Sequence, residues 1–472
     1  MQKNTYHLIS LGCSKNTVDS ESMGQLLNRS GYSPVLDHSQ ANIIIVNTCG
    51  FISPARDESL QVLSELAAEK GDDQYLIAAG CMTQRYGLEV AQQIPGIDGL
   101  LGTRRWMDII ELIQKVRQGK HPEPVYHLPD TPRTVVDQPG IVRAAVQGAS
   151  AYIKIADGCR RPCAFCSIPL IKGTAVSRQP ESILEEARYL QTRGMRELIL
   201  IAQDTTDYGH DLGIKNGLAD LLESMVGALK AADLDPQDRV KWIRIMYAYP
   251  GYVTERLIDV MAEHEEIIPY LDIPLQHADP SVLRRMRRPA NIEWVYRTLE
   301  KMRKRMPALT LRTTFIIGYP GETEKEFQNL LDFIDEIRFD KVGAFLFSFE
   351  PGTSSEALGD PVPEQVKQER WERLMALQQS ISLERNQSLV GKTLDVLIEG
   401  HGDGLSMGRT YRDAPEIDGL AILEGEHPSG QLIPMRVTDA LAYDLHGIAE
   451  SDWSRFISSD SLNRKNIEQD GG

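Results

Sequence analysis

Six strand-like runs, each followed by a helix-like stretch, fill the middle of the chain and constrain its fold more than any other feature. Such alternation is typical of an α/β protein with a parallel sheet and crossover helices. Six units are too few for a complete eight-stranded barrel, so they predict a partial, TIM-like (β/α)6 barrel with its site at the carboxyl ends of the strands. The predicted strands are Ala151–Ala156, Glu197–Ala202, Trp242–Tyr247, Tyr270–Ile273, Leu311–Ile317 and Lys341–Phe347.

A cysteine-rich loop directly follows the first of these strands. Cys159, Cys163 and Cys166 lie within eight residues, a spacing that suits a loop around an iron–sulfur cluster, because thiolates are the ligands that such clusters use. A fourth cysteine is missing from this loop, so a four-iron cluster held here would keep one iron open for a substrate or cofactor. The alternatives are a zinc site, which would need a fourth cysteine or histidine, and cysteines that are merely buried or disulfide-bonded.

Residues 1–118 show a second alternation of strands and helices, which predicts an open parallel α/β sheet. Cys13, Cys49 and Cys81 each come one or two residues after a predicted strand. Ligands of open α/β sheets bind outside the carboxyl ends of the strands, so these cysteines predict a second three-thiolate site. The alternative is that they are ordinary buried cysteines. The predicted strands are His7–Leu11, Asn42–Asn47, Gln74–Ala79 and Gly99–Gly102, and the predicted helices are Ser20–Asn28 and Pro54–Lys70.

Three further segments complete the predicted domain organisation. Residues 119–148 are rich in proline and have no periodicity, which indicates a linker before the barrel domain of residues 149–390. Residues 391–458 contain short strands and turns, which predict a small antiparallel β-barrel. Residues 459–472 are polar and are expected to form a flexible tail.

The net charge and the N-terminal sequence limit the partners and the cellular location that we expect for this protein. The chain has 51 Lys and Arg against 67 Asp and Glu, a net charge of −16, and an acidic surface repels nucleic-acid phosphates at long range. The N-terminus lacks the apolar core of a signal peptide, and aliphatic runs such as Ile43–Val46 are only as long as a strand. We therefore expect a cytoplasmic protein with reduced thiols and no membrane segment.

The cysteine loop, with Phe165 just before its last cysteine, resembles the signature of the radical S-adenosylmethionine superfamily. The chain as a whole, from near residue 5 to about 456, resembles the methylthiotransferase family. This resemblance implies S-adenosylmethionine as cofactor, a C-terminal barrel of the TRAM type and two four-iron clusters. The radical cluster would be held by Cys159, Cys163 and Cys166, and the auxiliary cluster by Cys13, Cys49 and Cys81.

Three stretches, residues 11–21, 273–277 and 413–419, are similar to the branch of this family that modifies an aspartate of ribosomal protein S-twelve. The transfer-RNA branch tends to have Gly-Cys-Gln-Met-Asn in the first stretch. The resemblance implies that a 5′-deoxyadenosyl radical takes a hydrogen from the β-carbon of the aspartate, which then receives a methylthio group. Sulfur would be delivered at the auxiliary cluster and methylated by a second S-adenosylmethionine.

The implied partners are ribosomal protein S-twelve, a low-potential electron donor such as flavodoxin or ferredoxin, and a sulfur donor. No catalytic acid–base pair is predicted, because a radical needs no acidic proton on the β-carbon. Between Lys392 and Phe456, five basic residues stand against twelve acidic ones. RNA affinity depends on Lys and Arg, so this segment suits a basic protein better, although it could be an ordinary solvated face. The rival functions are a transfer-RNA adenosine methylthiotransferase and a non-catalytic iron–sulfur electron carrier.

Several residues outside the cysteines are candidates for cofactor contacts. The turn of Gly318, Gly321 and Glu322 follows a barrel strand and could let the backbone approach the cofactor, but it could equally be a plain turn before a helix. Gln203 lies just past the second strand on the reactive face, and Phe165 lies within the cysteine loop. The basic cluster Arg284–Arg288 predicts either a contact with ribosomal RNA or a solvated helix face.

Overall fold

The N-terminal unit is a six-stranded, wholly parallel sheet in the order β2-β1-β3-β4-β5-β6. The computed structural model describes residues 4–119, 122–128, 131 and 133–454. Every residue of β3 is buried, because apolar clusters cover both faces of the sheet. The elements are β1 Thr5–Ser10, α1 Ser14–Arg29, β2 Ser33–Pro34, β3 Ile43–Thr48, α2 Ser53–Glu69, β4 Tyr75–Gly80, α3 Cys81–Gln93, β5 Gly99–Gly102, α4 Ile109–Val116 and β6 Val125–His127. The open parallel sheet is therefore as the sequence predicts.

Helix α1 begins earlier than the sequence predicts. Its first residue is Ser14 rather than Ser20, and Cys13 is its N-cap. The turns of this helix before Ser20 bury Asn16, Val18 and Asp19, and only Val18 of these is apolar. The apolar periodicity of the sequence does not reveal this part of the helix, because its buried face is largely polar.

The sequence predicts a plain linker over residues 119–148. In the structure, this segment contributes a strand to each of the two neighbouring sheets. Val125–His127 extends the N-terminal sheet as β6, and β7, Ala144–Gln147, forms an antiparallel hairpin with the first strand of the next sheet. These strands are only three and four residues long, and edge strands this short leave little periodicity in a sequence.

The central unit is a seven-stranded sheet in the order β15-β14-β13-β12-β11-β8-β7. All its strands except β7 are parallel, which confirms the six predicted units. No pairing joins β7 to β15 in the described part of the chain, so the barrel is open. The further elements are β8 Ser150–Lys154, β9 Ala156–Asp157, α5 Ile168–Lys172, β10 Val176–Ser177, α6 Pro180–Thr192, β11 Glu197–Ile201, α7 Gly217–Lys230, β12 Trp242–Ile245, α8 Glu255–Glu263, β13 Ile267–Asp272, α9 Pro280–Arg285, α10 Ile292–Arg305, β14 Thr310–Ile317, α11 Glu324–Ile337, β15 Lys341–Leu346 and α12 Glu364–Gln387.

The C-terminal unit is a closed barrel in the order β16-β17-β18-β20-β19. It is antiparallel, as predicted, except for the parallel pair β18 and β20. The strands are β16 Thr393–Gly402, β17 Leu405–Thr410, β18 Ala421–Glu424, β19 Leu432–Ala440 and β20 Leu445–Ala449. The strands predicted here from the sequence are Thr393–Glu399, Leu420–Leu423, Leu432–Asp439 and Leu445–Ala449, so the sequence analysis missed β17. The predicted tail of residues 459–472 lies outside the described residues.

The barrel closes the amino end of the central sheet. Arg409 of β17 donates to Ser150 and Glu197, the first residues of β8 and β11. Lys341, the first residue of β15, pairs with Asp413 at 2.7 Å. The carboxyl ends of the strands, where barrel enzymes carry their sites, thus lie at the other end. Within the described ranges, no helix combines the length and the apolar character needed to cross a membrane.

Candidate functional site

The three N-terminal cysteines lie at the carboxyl edge of the first sheet, as the sequence predicts. Cys13 precedes α1, Cys49 directly follows β3, and Cys81 is the first residue of α3. Burial raises the pKa of Cys81, and the charges of Cys49 and Cys13 raise it further. The three sulfurs are therefore within electrostatic range of one another.

Two glycines let the three cysteine-bearing turns approach so closely. A Cβ on Gly12, whose φ is +90°, would lie 3.0 Å from Cys49 Sγ. A Cβ on Gly50 would lie 2.5 Å from the Cα of Met82, the neighbour of Cys81. Contacts this short exclude a side chain, so each glycine is needed to bring one turn against the next.

Asn16 ties the same turns together with hydrogen bonds that the sequence analysis did not predict. Its Nδ2 donates to the carbonyls of Leu11, Asn47 and Thr48, at 2.8, 3.2 and 3.1 Å. Its Oδ1 lies 3.8 Å from Cys81 Sγ. A polar residue three positions after Cys13, on the first turn of a helix, is the signal that could have identified it.

The second cysteine loop lies at the carboxyl end of β8 and is held from several sides. The Cys159 N–H donates to Gly173 O at 3.0 Å, and the Ala164 N–H donates to Met286 O at 2.8 Å. Phe165 packs in a small apolar cluster with Met286, Tyr319, Phe347 and Ile316. The loop is therefore anchored on the carboxyl ends of the distant strands β14 and β15.

Cys163 has two polar neighbours that the sequence analysis did not assign to the site. Arg288 Nη1 donates to Cys163 Sγ at 3.3 Å, and the Tyr249 hydroxyl lies 3.7 Å from the same sulfur. The Arg288 guanidinium also lies over the Tyr249 ring, 4.5 Å from its centroid. Tyr249 follows strand β12 on the reactive face, which is the signal that could have identified it.

The arginines of the basic cluster Arg284–Arg288 therefore have different surroundings. Arg284 and Arg287 are exposed, and Arg285 pairs with Glu326 at 2.9 Å. Arg288 is only 9% exposed, so the prediction of a solvated or RNA-binding face is wrong for this residue.

Burial favours the neutral thiol at several of the cysteines. It raises the pKa of Cys81 to about 12 and that of Cys159 to about 11, and it raises the pKa of Cys166 further. Metal binding at such sulfurs must release protons. All six cysteines are free of disulfides.

The spacing of the sulfurs suits a cluster better than a single zinc ion. Tetrahedral zinc with Zn–S bonds of about 2.3 Å holds its sulfurs about 3.8 Å apart. In the described ranges, the side chains that lie close enough together to share one metal ion are Asp108, Glu111 and His127, and neither set of three cysteines is among them. A set of three free thiols, with no fourth ligand beside it in the described ranges, fits an iron–sulfur cluster with an open iron.

The two cysteine sets face each other. Ser167, next to Cys166, donates through Oγ to the carbonyl of Phe51, two residues past Cys49, at 3.2 Å. Behind this contact Asp19, in α1, accepts from Lys154 at 2.6 Å and from Lys172 at 2.9 Å. Both cations also pair with Asp157, two residues before Cys159, at 3.2 Å.

This buried network links the N-terminal and central sheets at the level of the cysteines. Burial alone would raise the pKa of Asp19, but the charges of Lys154, Lys172 and Arg143 hold it well below its usual range. Lys172 also acts electrostatically on Cys81. A fixed positive charge thus lies beside one cysteine set and, through Asp157, is connected to the other.

The other predicted contacts have different surroundings. Gln203 follows β11, and its Oε1 is buried without a hydrogen-bond partner among the described residues, so it is free to meet a ligand. Glu322 is engaged by the protein: it accepts from Arg370 at 2.8 Å and from the Gly318 N–H at 3.1 Å. Gly321 O accepts from Arg285 at 3.2 Å. The carboxylate of Glu322 therefore helps to hold the turn that contains it.

Known proteins match the chain along nearly all of its length. Residues 5–102 match the uncharacterized protein family UPF0004, residues 153–334 the radical SAM superfamily and residues 390–449 the TRAM domain. A relative in Chloroflexus aurantiacus, the ribosomal protein uS12 methylthiotransferase RimO, is 48% identical over 94% of this chain and 100% of its own. The chain belongs to the RimO family.

A second RimO relative, from Roseiflexus, is 46% identical over 94% of this chain and 96% of its own length. Among solved structures, the radical S-adenosylmethionine methyltransferase TsrM from Kitasatospora setae is similar. Its form with cobalamin and a [4Fe-4S] cluster has a TM-score of 0.55 and 14% identity, covering 86% of this chain and 81% of its own. At this identity the likeness concerns the fold alone, and it agrees with RimO membership.

Proposed function

We propose that this protein transfers a methylthio group to the β-carbon of an aspartate in ribosomal protein uS12, by radical S-adenosylmethionine chemistry. The observation that carries the proposal is the pair of facing cysteine sets, each with three free thiols and no fourth ligand beside them in the part of the chain that the structure describes. The names of its RimO relatives support the substrate. A ribosomal substrate also supports action in the cytoplasm.

Two clusters are proposed, one for each cysteine set. Cys159, Cys163 and Cys166 would hold the radical cluster, and Cys13, Cys49 and Cys81 the auxiliary one. When bound, the radical cluster and S-adenosylmethionine supply the 5′-deoxyadenosyl radical that takes a hydrogen from the substrate. An electron donor of low potential, such as flavodoxin or ferredoxin, and a sulfur donor are further proposed partners.

The protein's own residues position these groups. Gln203 offers an unpartnered oxygen on the reactive face, and Phe165 packs the cysteine loop against the end of β14. Gly318 and Gly321 have φ values of +72° and +76°, a conformation that favours glycine and permits this tight turn. Glu322 fixes that turn from behind. These contacts with S-adenosylmethionine remain predictions.

The surface of the barrel supports a basic protein as partner. Two arginines of the barrel form buried ion pairs: Arg409 pairs with Glu197 at 2.7 Å, and Arg412 pairs with Asp340 at 2.9 Å. The acidic side chains that remain exposed include Asp395, Asp403 and Glu424. A barrel of this charge repels RNA phosphates, so the transfer-RNA alternative gains no support here, and a mere electron carrier would not need an open iron.

The test is anaerobic reconstitution with iron and sulfide, followed by S-adenosylmethionine and a strong reductant, with uS12 and transfer RNA offered side by side. Mass spectrometry should find a methylthio group on an aspartate of uS12 and an unmodified transfer RNA. A modified adenosine would contradict the proposed substrate. Absence of 5′-deoxyadenosine would contradict the radical chemistry.

A further inference from the structure

The side chain of Lys15 reaches from the turn of one cysteine set to the neighbourhood of the other. Lys15 comes two residues after Cys13, and its Nζ lies 3.2 Å from the centroid of the Tyr247 ring. Tyr247 is two residues before Tyr249, whose hydroxyl is close to Cys163. The contact of Lys15 with Tyr247 therefore joins the turn of one cysteine set to the neighbourhood of the other.

The charge of Lys15 is not paired within the protein. No carboxylate or other hydrogen-bond acceptor in the described part of the chain contacts its Nζ; the ring of Tyr247 is its neighbour. The basic residues of the six parallel strands are different, because each has an acidic partner. These pairs are Lys154 with Asp19, Arg244 with Glu197, Arg312 with Asp272 and Lys341 with Asp413.

Tyr247 is held in a costly conformation beneath this ammonium. Its φ is +61°, a value that costs a non-glycine residue on the order of 1–3 kcal/mol and persists only where the surroundings impose it. Its N–H donates to Asp272 Oδ2 at 3.2 Å, and its carbonyl accepts from the Thr205 N–H at 3.1 Å. These bonds hold the backbone from which the ring contacts Lys15.

We propose that Lys15 binds the side-chain carboxylate of the target aspartate and thereby selects aspartate as the residue to be modified. This role rests on the proposed function. The β-carbon of an aspartate is bonded directly to its carboxylate carbon, so an ion pair with Lys15 would hold that carbon between the two cysteine sets. A carboxylate can recruit this ammonium without breaking an existing ion pair, because Lys15 gives up only a contact with an aromatic face.

The test compares uS12 with a uS12 variant that carries asparagine at the modified position. Binding of each fluorescently labelled protein to the reconstituted enzyme is measured by anisotropy without reductant, so that no turnover occurs. We expect the wild-type enzyme to bind the aspartate form about tenfold more tightly, as loss of a charge-assisted bond predicts. Lys15→Met should bring the two affinities within about twofold of each other, and Lys15→Arg should restore the preference for aspartate.

Lys304→Met is the matched control, because Lys304 is exposed in the last turn of α10, which leads into the amino end of β14 and so lies away from the cysteines, and it should keep the wild-type preference. Equal weakening of both uS12 forms by Lys15→Met would indicate a structural role and overturn the proposal. Loss of S-adenosylmethionine binding in Lys15→Met with the preference for aspartate retained would also overturn it. A wild-type enzyme that binds neither form of uS12 would instead refute the proposed function.

Discussion

At the scale of single residues, the cysteine sulfurs are tuned by groups that come from distant parts of the chain. Arg288 donates to Cys163 Sγ at 3.3 Å although 125 residues separate them. A cationic N–H donor stabilises a sulfur ligand more when the cluster carries an extra electron. Arg288 should therefore make the radical cluster easier to reduce.

We predict that Arg288→Met lowers the midpoint potential of the radical cluster by on the order of 60 mV, the equivalent of one charged hydrogen bond in a one-electron couple. The measurement is a redox titration followed by electron paramagnetic resonance, with the auxiliary cysteines replaced by alanine so that one signal is observed. Arg287→Met is the control, because Arg287 is exposed and donates to Ser354. Equal shifts in the two variants would contradict the prediction.

The sequence identifies the six cysteines but not Arg288, Tyr249 or Asn16. The cysteines are visible because their spacing, and their position after strands, follow from local pattern alone. Arg288 lies in a run of arginines whose members have different partners, and only the packing of α9 against the cysteine loop distinguishes them. Local pattern carries no such information.

At the scale of elements, buried ion pairs fasten the barrel to the central sheet. Glu197 of β11 accepts from Arg244 of β12 and from Arg409 of β17, both at 2.7 Å. Burial alone would raise the pKa of Glu197, but the charges of Arg244 and Arg409 lower it from 4.5 to about 2. A lowering of this size is worth roughly 3 kcal/mol of stability above the unfolded pKa.

We predict that Glu197→Gln lowers the free energy of unfolding at pH 7 by about 3 kcal/mol, because it leaves two buried arginines short of a charge. The folded pKa is the lower one, so the wild type loses this stabilisation as the pH falls from 4.5 toward 2. Chemical denaturation should therefore show a smaller difference in the free energy of unfolding between the wild type and Glu197→Gln at pH 3 than at pH 7. Glu300→Gln, on the exposed face of α10, is the control, and an unchanged gap at pH 3 would contradict the account.

The elements themselves are largely predictable, and the exceptions have separate physical causes. The strands that the sequence predicts for the two sheets are apolar runs, and they lie within a few residues of their observed positions, whereas β2, β6 and β7 are too short to leave a clear pattern. Strand β17, Leu405–Thr410, was missed because its sequence, Leu-Ser-Met-Gly-Arg-Thr, mixes core positions with Arg409, whose burial depends on Glu197. A buried ion pair supplied by another unit cannot be inferred from the strand that contains it.

At the scale of the whole molecule, the N-terminal sheet and the C-terminal barrel both pack against the central sheet. The barrel closes the amino ends of the strands, and the N-terminal sheet brings its cysteines to the carboxyl ends. The contact of Ser167 with Phe51 and the network around Asp19 fix the two cysteine sets face to face. The three units are recognisable in the sequence, but their docking is not, because it depends on buried charges far apart in the chain.

The central claim is that these two facing sets hold two separate clusters, and iron analysis tests it most directly. We predict about eight iron atoms per chain in the reconstituted wild type, and about four when either Cys13, Cys49 and Cys81 or Cys159, Cys163 and Cys166 are all replaced by alanine. Only the second variant should lose 5′-deoxyadenosine production. About four irons in the wild type, or no loss of iron on replacing the N-terminal cysteines, would contradict the claim.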